Sequence, residues 1–294
     1  MNHCYIGCPI WTHPSWFGHI YPTKSAQANS LVAYSQYFNS VEGNSSFYHL
    51  PDVVTLERWA KSVPQNFKFT LKFPSTISHQ GNLSQSHKLV EQALIHFSVL
   101  KDKLGSLMLQ LPASFNPASL DALASFLAVI PTQFKIAVEV RHPDFFAKGD
   151  SERHLNQLLQ GFNADRIIMD TRALFACNTH ALNAKQASLI REVQEKKPRL
   201  PTHVVATGQR PIVRFVGGVD IEQSKPFYQP WLHKLKQWLD EGKSPSLFFH
   251  MPDNQDAPWL AEAFIHDFNR LFPQQPLKRF SLPPRFRQQQ GMFD

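Results

Sequence analysis

Hydrophobic and polar positions along this chain follow two periods that take turns. Short runs with a period of two read as strands at Tyr5–Cys8, Val41–Phe47, Phe67–Phe73, Leu107–Leu111, Ile136–Arg141, Ile167–Asp170, Ile212–Val216 and Leu247–His250. Apolar residues at helical spacing fill the gaps, at Ala26–Phe38, Val54–Val63, Ser84–Lys103, Pro117–Val129, Ser151–Phe162, Ala184–Lys197, Phe227–Glu241 and Trp259–Phe272. Strand-then-helix alternation predicts an α/β protein, and a count of eight favours a single (β/α)8 TIM-type barrel over a doubly wound open sheet. One domain is expected over residues 1–274, followed over 275–294 by a basic, Gln-rich flexible tail.

Strand parity then locates a site. In FKFTLKF the residues Phe67, Phe69, Leu71 and Phe73 share the face that meets the helices, which leaves Lys68, Thr70 and Lys72 for the barrel axis. The same reading turns Glu42, Asn44 and Ser46 inward, with Met108 and Gln110, Glu139 and Arg141, Arg214, and His250; Asp170 ends strand six and joins the set. These positions cluster near the carboxyl ends of their strands, where barrel enzymes build their sites. Three carboxylates (Glu42, Glu139, Asp170) face three cations (Lys72, Arg141, Arg214), so the expected cluster is charge-balanced before any ligand enters. Trp11, Trp16, Phe47 and Tyr48 follow strands one and two, where aromatic rings could stack on a base or a sugar or could seal the mouth.

The order of these blocks carries a resemblance. IGCPIWTHPSW, FNSVEGNSSFYHLP, FKFTLKFPSTISH, LMLQLP, VEVRHPDFF, RIIMDTR, PIVRF and FFHMPDNQDAP succeed one another from about Tyr5 to Phe272. The chain closely resembles the YecE-like barrels, the family described as domain of unknown function seventy-two. The resemblance implies a TIM-type barrel and no particular reaction. It also implies similar polar residues at the strand ends, here Glu42, Asn44, Lys72, Gln110, Glu139, Arg141, Asp170 and Arg214. Many relatives look like F-N-N-D after strand eight, where this chain has His250-Met251-Pro252-Asp253-Asn254.

The charge balance bears on what such a site would take. Thirty Lys and Arg against 23 Asp and Glu leave a net charge of +7, which suits an anionic small molecule or nucleic acid as partner. Acid/base chemistry is the first option. Lys72, Arg141 and Arg214 would hold phosphate or carboxylate oxygens, Glu139 or Glu42 would act as base, Asp170 would assist, and His250 would shuttle protons near neutrality. Trp11, Asn44, Tyr48 and Gln110 would complete the substrate site. The second option is a hydrolase or phosphodiesterase with a divalent ion, Mg or Mn, on Glu42, Glu139, Asp170 and His250; there is no paired-His motif, and three cations crowd the site. A Schiff base on Lys72 comes third, because neighbouring carboxylates would stabilise its ammonium form. No dinucleotide fingerprint, P-loop or G-x-S-x-G elbow occurs in the chain.

Two features lie away from the barrel mouth. Lys196, Lys197 and Arg199 form a basic stretch after strand six, readable as a phosphate-contacting loop or as a solvated helix end. Near the C-terminus, Gln289, Met292 and Phe293 match the short Gln-x-x-(Leu/Met)-Phe peptide by which bacterial replication and repair proteins dock on the sliding clamp. That match makes a non-catalytic accessory protein of DNA repair or replication the rival reading. Only three cysteines occur, no apolar run reaches membrane-span length, and the first residues lack a signal core, so a cytoplasmic location and no membrane partner are expected.

Overall fold

The computed structural model describes residues 3–21, 29–81, 83–278 and 280–284. Its strands are β1 (Tyr5–Gly7), β2 (Ser40–Gly43), β3 (Lys68–Lys72), β4 (Leu104–Gln110), β5 (Ile136–Glu139), β6 (Asp165–Asp170), β7 (Ile212–Val216) and β8 (Ser246–His250). They form one parallel sheet in the order β1-β8-β7-β6-β5-β4-β3-β2. The α-helices are α1 (Ser30–Tyr37), α2 (Ser45–Tyr48), α3 (Val53–Ser62), α4 (Ser75–Ser78), α5 (His87–Ser98), α6 (Leu120–Ala128), α7 (Asp150–Gly161), α8 (Arg172–Phe175), α9 (Ala184–Lys196), α10 (Ile221–Asp240) and α11 (Ala257–Leu271). The fold is a nearly closed TIM-type barrel, as the alternation predicts. No described helix is long and apolar enough to cross a membrane.

Two expected elements are shorter than their patterns suggested. Strand β2 stops at Gly43, and the next residues wind into α2. The Ser46 hydroxyl donates back to the Gly43 carbonyl at 3.1 Å, the kind of local bond by which serine competes with a sheet ladder. The long helix expected over Ser84–Lys103 is split into a 3-10 turn, α5, and a second 3-10 turn at Lys101–Lys103. Lys101 adopts a left-handed φ of 50°, which an α-helix cannot continue through.

The ring closes between β1 and β2 largely through side chains. Asn39 Oδ1 accepts from the Ile6 N–H and its amide donates to the Cys4 carbonyl, both at 2.8 Å. The Tyr34 hydroxyl accepts from the Cys8 N–H at 2.7 Å and donates to the Ser40 carbonyl at 2.9 Å. A backbone bond from the Glu42 N–H to the Cys8 carbonyl, 3.0 Å, completes the seam. The strands approach so closely that a Cβ on Gly7 would lie 2.0 Å from the Ser40 carbonyl oxygen. Only glycine fits there.

Inside the barrel, Met108, Ala137, Ile167, Ile212 and Phe248 pack into a separate apolar cluster. It is a filled core rather than a pore, and it forms the floor beneath the polar residues that follow on the same strands. Outside, Phe67, Phe69, Leu71 and Phe73 are buried in the main core against the helices, as the strand pattern predicts. Past α11 the described residues run back over the barrel. The Leu277 N–H donates to Asn269 Oδ1 and the Leu282 N–H to Glu262 Oε1, both at 2.7 Å, and Leu282 is buried. Gln289, Met292 and Phe293 lie outside the described residues.

Candidate functional site

Above the apolar floor, six strands (β2, β3, β4, β5, β7 and β8) deliver Glu42, Lys72, Gln110, Glu139, Arg214 and His250 to one buried cluster. Arg214 is its hub. Its Nε and Nη2 donate to Glu42 Oε2 and Oε1 at 2.9 and 2.8 Å, a bidentate pair. Its Nη1 donates to Glu139 Oε2 at 2.5 Å. The other Glu139 oxygen accepts from Arg141 Nε at 2.9 Å and Nη2 at 2.8 Å. Two arginines and two glutamates thus form a self-neutral quartet. Burial alone would push both carboxyls up, but Arg214, with His250 for Glu42 and Arg141 for Glu139, holds them down, Glu139 at about 2 and Glu42 well below the usual range.

His250 lies at 3.2 Å from Glu42 Oε2 through Nε2. Burial lowers the imidazole to about 4, with Arg214 adding to the effect and Glu42 opposing it. A neutral ring donating Nε2–H to the carboxylate follows. The His250 ring thus titrates below the neutral range that its residue type suggests. The surrounding protein, not the unperturbed pKa, decides its charge.

Asp170 is the main correction to the site. Strand β6 turns Asp165, Ile167 and Met169 inward, while Arg166 and Asp170 face the helices. Arg166 donates to Glu152 Oε1 on α7 at 2.8 Å, a buried pair that locks the parity. Asp170 accepts from Trp231 Nε1 on α10 at 2.8 Å and from Arg172 through Nε and Nη2, at 2.9 and 2.8 Å. It supports helix packing and the turn into α8, and takes no part in the mouth. Its departure also dissolves the expected ligand set for Mg or Mn. Both glutamates are held by arginine, and among the described residues no three His, Cys, Asp or Glu side chains are grouped to hold a metal ion.

Two substrate-site assignments are corrected as well. Trp11 turns to the helix layer, its ring edge-on to Trp59 of α3 with centroids 4.9 Å apart. Asn44 ties the loop after β2, its amide donating to the Pro9 carbonyl at 3.0 Å. Tyr48 is 82% exposed and packs edge-on against Phe47, whose ring faces Lys72 Nζ. Gln110 stays in place: its Oε1 accepts from Lys72 Nζ at 2.8 Å. Lys72 is fixed from behind, since the Ser46 hydroxyl accepts from its N–H at 3.0 Å and donates to its carbonyl at 2.8 Å.

Two residues of the mouth were not among the expected site residues: His79, edge-on to Phe47 at 5.1 Å and near enough to feel Arg141, Glu139 and Lys72, and Lys197. Lys197 ends α9 and is partly exposed, and its charge is felt by the cluster: burial, then repulsion from Arg214, bring it to about 8. Lys72, 6% exposed, is lowered by burial and then by Arg214 to about 7. Phe47 adds an aromatic face, with Lys72 Nζ 5.6 Å from the ring centroid. The basic stretch after strand six was the available signal for Lys197. What the pattern could not show is that α9 ends over the barrel mouth.

With this geometry in hand, comparison with known proteins gives a clear result. The family described as "Protein of unknown function DUF72" matches residues 5–284. The chain belongs to the DUF72 family. Over 270 residues, 92% of this chain and 94% of the relative, it is 40% identical to UPF0759 protein YecE of Escherichia coli K12. It is 33% identical over 121 residues, 38% of this chain and 41% of the relative, to UPF0759 protein YunF of Bacillus subtilis. Among solved structures, a DUF72 family protein from Enterococcus faecalis V583 superposes with a TM-score of 0.67 at 17% identity, covering 96% of this chain and 98% of its own. A DUF72 family protein from Thermotoga maritima MSB8 gives a TM-score of 0.65 at 16% identity, over 92% and 100% of the two chains. At such identities the DUF72 structures establish the barrel and leave the chemistry to the side chains described above.

Proposed function

We propose that the mouth of this DUF72 barrel is an enzyme site for a small anionic substrate bearing phosphate or carboxylate, on which it performs acid/base chemistry. One observation carries the reading. The two glutamates of the mouth are already matched by Arg214 and Arg141, so Lys72 and Lys197 bring positive charge in excess of the carboxylates there. Among the described residues neither lysine forms an ion pair, and Lys72 donates only to the neutral Gln110. Buried cations without partners are unfavourable. An incoming anion supplies the partner and raises both lysines back toward their ordinary range.

Depth favours a small molecule over a nucleic-acid strand. Lys72 at 6% and Gln110 at 8% exposure sit below the rim, while Arg141 at 22% lies nearer to it. Glu42 and Glu139 orient Arg214 and Arg141 rather than acting as free bases. Lys72, near neutrality in its titration, is the group placed to exchange a proton with substrate.

Calorimetric titration with orthophosphate and with lactate tests the proposal, repeated in buffers of different ionisation enthalpy. Binding with net proton uptake near pH 7, and loss of that binding in Arg141→Ala, are the expected results. Absence of binding by both anions in the parent protein would refute the site.

A further inference from the structure

The mouth holds an arrangement that acid/base chemistry alone leaves unused: a buried amine, free of carboxylate partners, fixed at the end of a strand. The objection to amine catalysis at Lys72 was that adjacent carboxylates would keep it charged. The structure removes that objection. Glu42 accepts from Arg214 and His250, and Glu139 from Arg214 and Arg141, so every carboxylate oxygen near Lys72 is engaged elsewhere. Ser46 pins the Lys72 backbone on both its N–H and its carbonyl. Gln110 Oε1 takes one amine hydrogen, and the Phe47 ring covers another side. A neutral amine so held keeps its lone pair available to whatever enters the mouth.

We propose that Lys72 is a catalytic nucleophile that forms an imine with a small carbonyl compound carrying an anionic group, a 2-oxo acid or a keto- or aldose phosphate. This deepens the anion-site reading and rests on it. Arg141 and Lys197, on the rim side of the cluster, take the carboxylate or phosphate. The Lys72 nitrogen lone pair then bonds to the carbonyl carbon, and the carbonyl π pair moves to oxygen. A proton passes from nitrogen to that oxygen to give the carbinolamine. The Lys197 ammonium donates a second proton to the hydroxyl, the C–O bond breaks, and water leaves behind the iminium. Hydrolysis reverses each step. The iminium withdraws electrons from the neighbouring carbon, which activates its C–H or C–C bond. The surrounding charges bear on the sequence: Arg214 is the largest charge acting on Lys72 and lowers it, Lys197 adds to that, and Glu42 and Glu139 oppose them. A second cation beside the nucleophile is a known way to activate an amine.

The test is reductive trapping of the intact protein at about pH 7, where a lysine brought to about 7 has roughly a thousandfold larger neutral fraction than an ordinary one. Pyruvate and dihydroxyacetone phosphate are the two probes, each with cyanoborohydride, followed by peptide mapping by mass spectrometry. The expected result is a reduced adduct on Lys72 exceeding that on the exposed Lys61 by more than about tenfold, suppressed by orthophosphate and absent in Lys72→Arg. The pyruvate arm labelling first assigns a carboxylate substrate, and the other arm a phosphate. Equal labelling of Lys72 and Lys61 in the parent protein, with orthophosphate still bound by calorimetry, overturns the imine and leaves the anion site standing. Equal labelling with no anion bound overturns both. The ratio within the parent protein decides the matter even if Lys72→Arg fails to fold.

Discussion

Replacing Lys72 by methionine should stabilise this protein, and by an amount that depends on pH. Lys72 falls from 10.5 in the unfolded chain to about 7 in the fold, through burial first and Arg214 second. Three and a half units correspond to about 5 kcal/mol of instability, fully present below about pH 6, where the amine is charged in both states. The sign follows from proton binding. Between about pH 7 and 10.5 the unfolded chain holds the proton and the folded one does not, so stability rises with pH across that window. Methionine has no such term. Against its gain stands Gln110, whose carbonyl loses the Lys72 donor at about 1–3 kcal/mol, a loss that does not vary with pH. Lys72→Met should therefore gain about 2–3 kcal/mol near pH 6.5 and roughly nothing near pH 9. Urea unfolding of both proteins at the two pH values, in phosphate-free buffer of constant ionic strength, measures the difference. A variant whose advantage is the same at both, within about 0.5 kcal/mol, would refute the claim that Lys72 is held near neutrality.

Further outcomes follow from the same geometry. Arg214→Met strips the shared partner from Glu42 and Glu139, and thermal unfolding should register a loss of about 3–5 kcal/mol, partly recovered when both glutamates are also made glutamine. Asp170→Asn weakens the contact to Arg172 and Trp231, so it should lower the melting temperature while leaving orthophosphate affinity unchanged; a loss of affinity would return Asp170 to the mouth. Tyr34→Phe leaves the Cys8 N–H and the Ser40 carbonyl unpaired at the seam and should cost about 2–4 kcal/mol in urea unfolding. The sliding-clamp proposal predicts that the full chain is retained on immobilised clamp and that a chain lacking Gln289–Asp294 is not; retention of both would end it.

Strand pattern carried the fold because each barrel strand meets apolar helices on one side, and FKFTLKF states that side without ambiguity. The polar cluster was legible for the same reason wherever the outward partners were apolar, as at Glu139 between Val138 and Val140. It failed at β6, where both faces carry charge. Asp165 and Arg166 are both buried, one inside and one against α7, and only the distant Glu152 reveals which is which. Alternation also misread Asn44, which caps a turn stabilised by its own hydroxyls rather than continuing a strand. Lys197 was out of reach of any strand rule, since it arrives from a helix. The charge balance changed accordingly, from an expected neutral cluster to one with two cations in surplus.

The closing seam has a consequence for how the molecule is made. Strand β1 pairs in register with β8, Tyr5 opposite Ser246, and meets β2 mainly through Asn39 and Tyr34. A chain emerging from the ribosome thus makes its first strand about 240 residues before that strand's ladder partner exists, a wait of roughly 10–50 s at ordinary synthesis rates. Until then β2 and its successors can assemble stepwise, each beside the strand made just before it, while β1 is tethered mainly by two side chains and one backbone bond of the segment that follows. Of the eight barrel strands the first to be synthesised is the last to be locked, and the ring shuts only once β8 has been made.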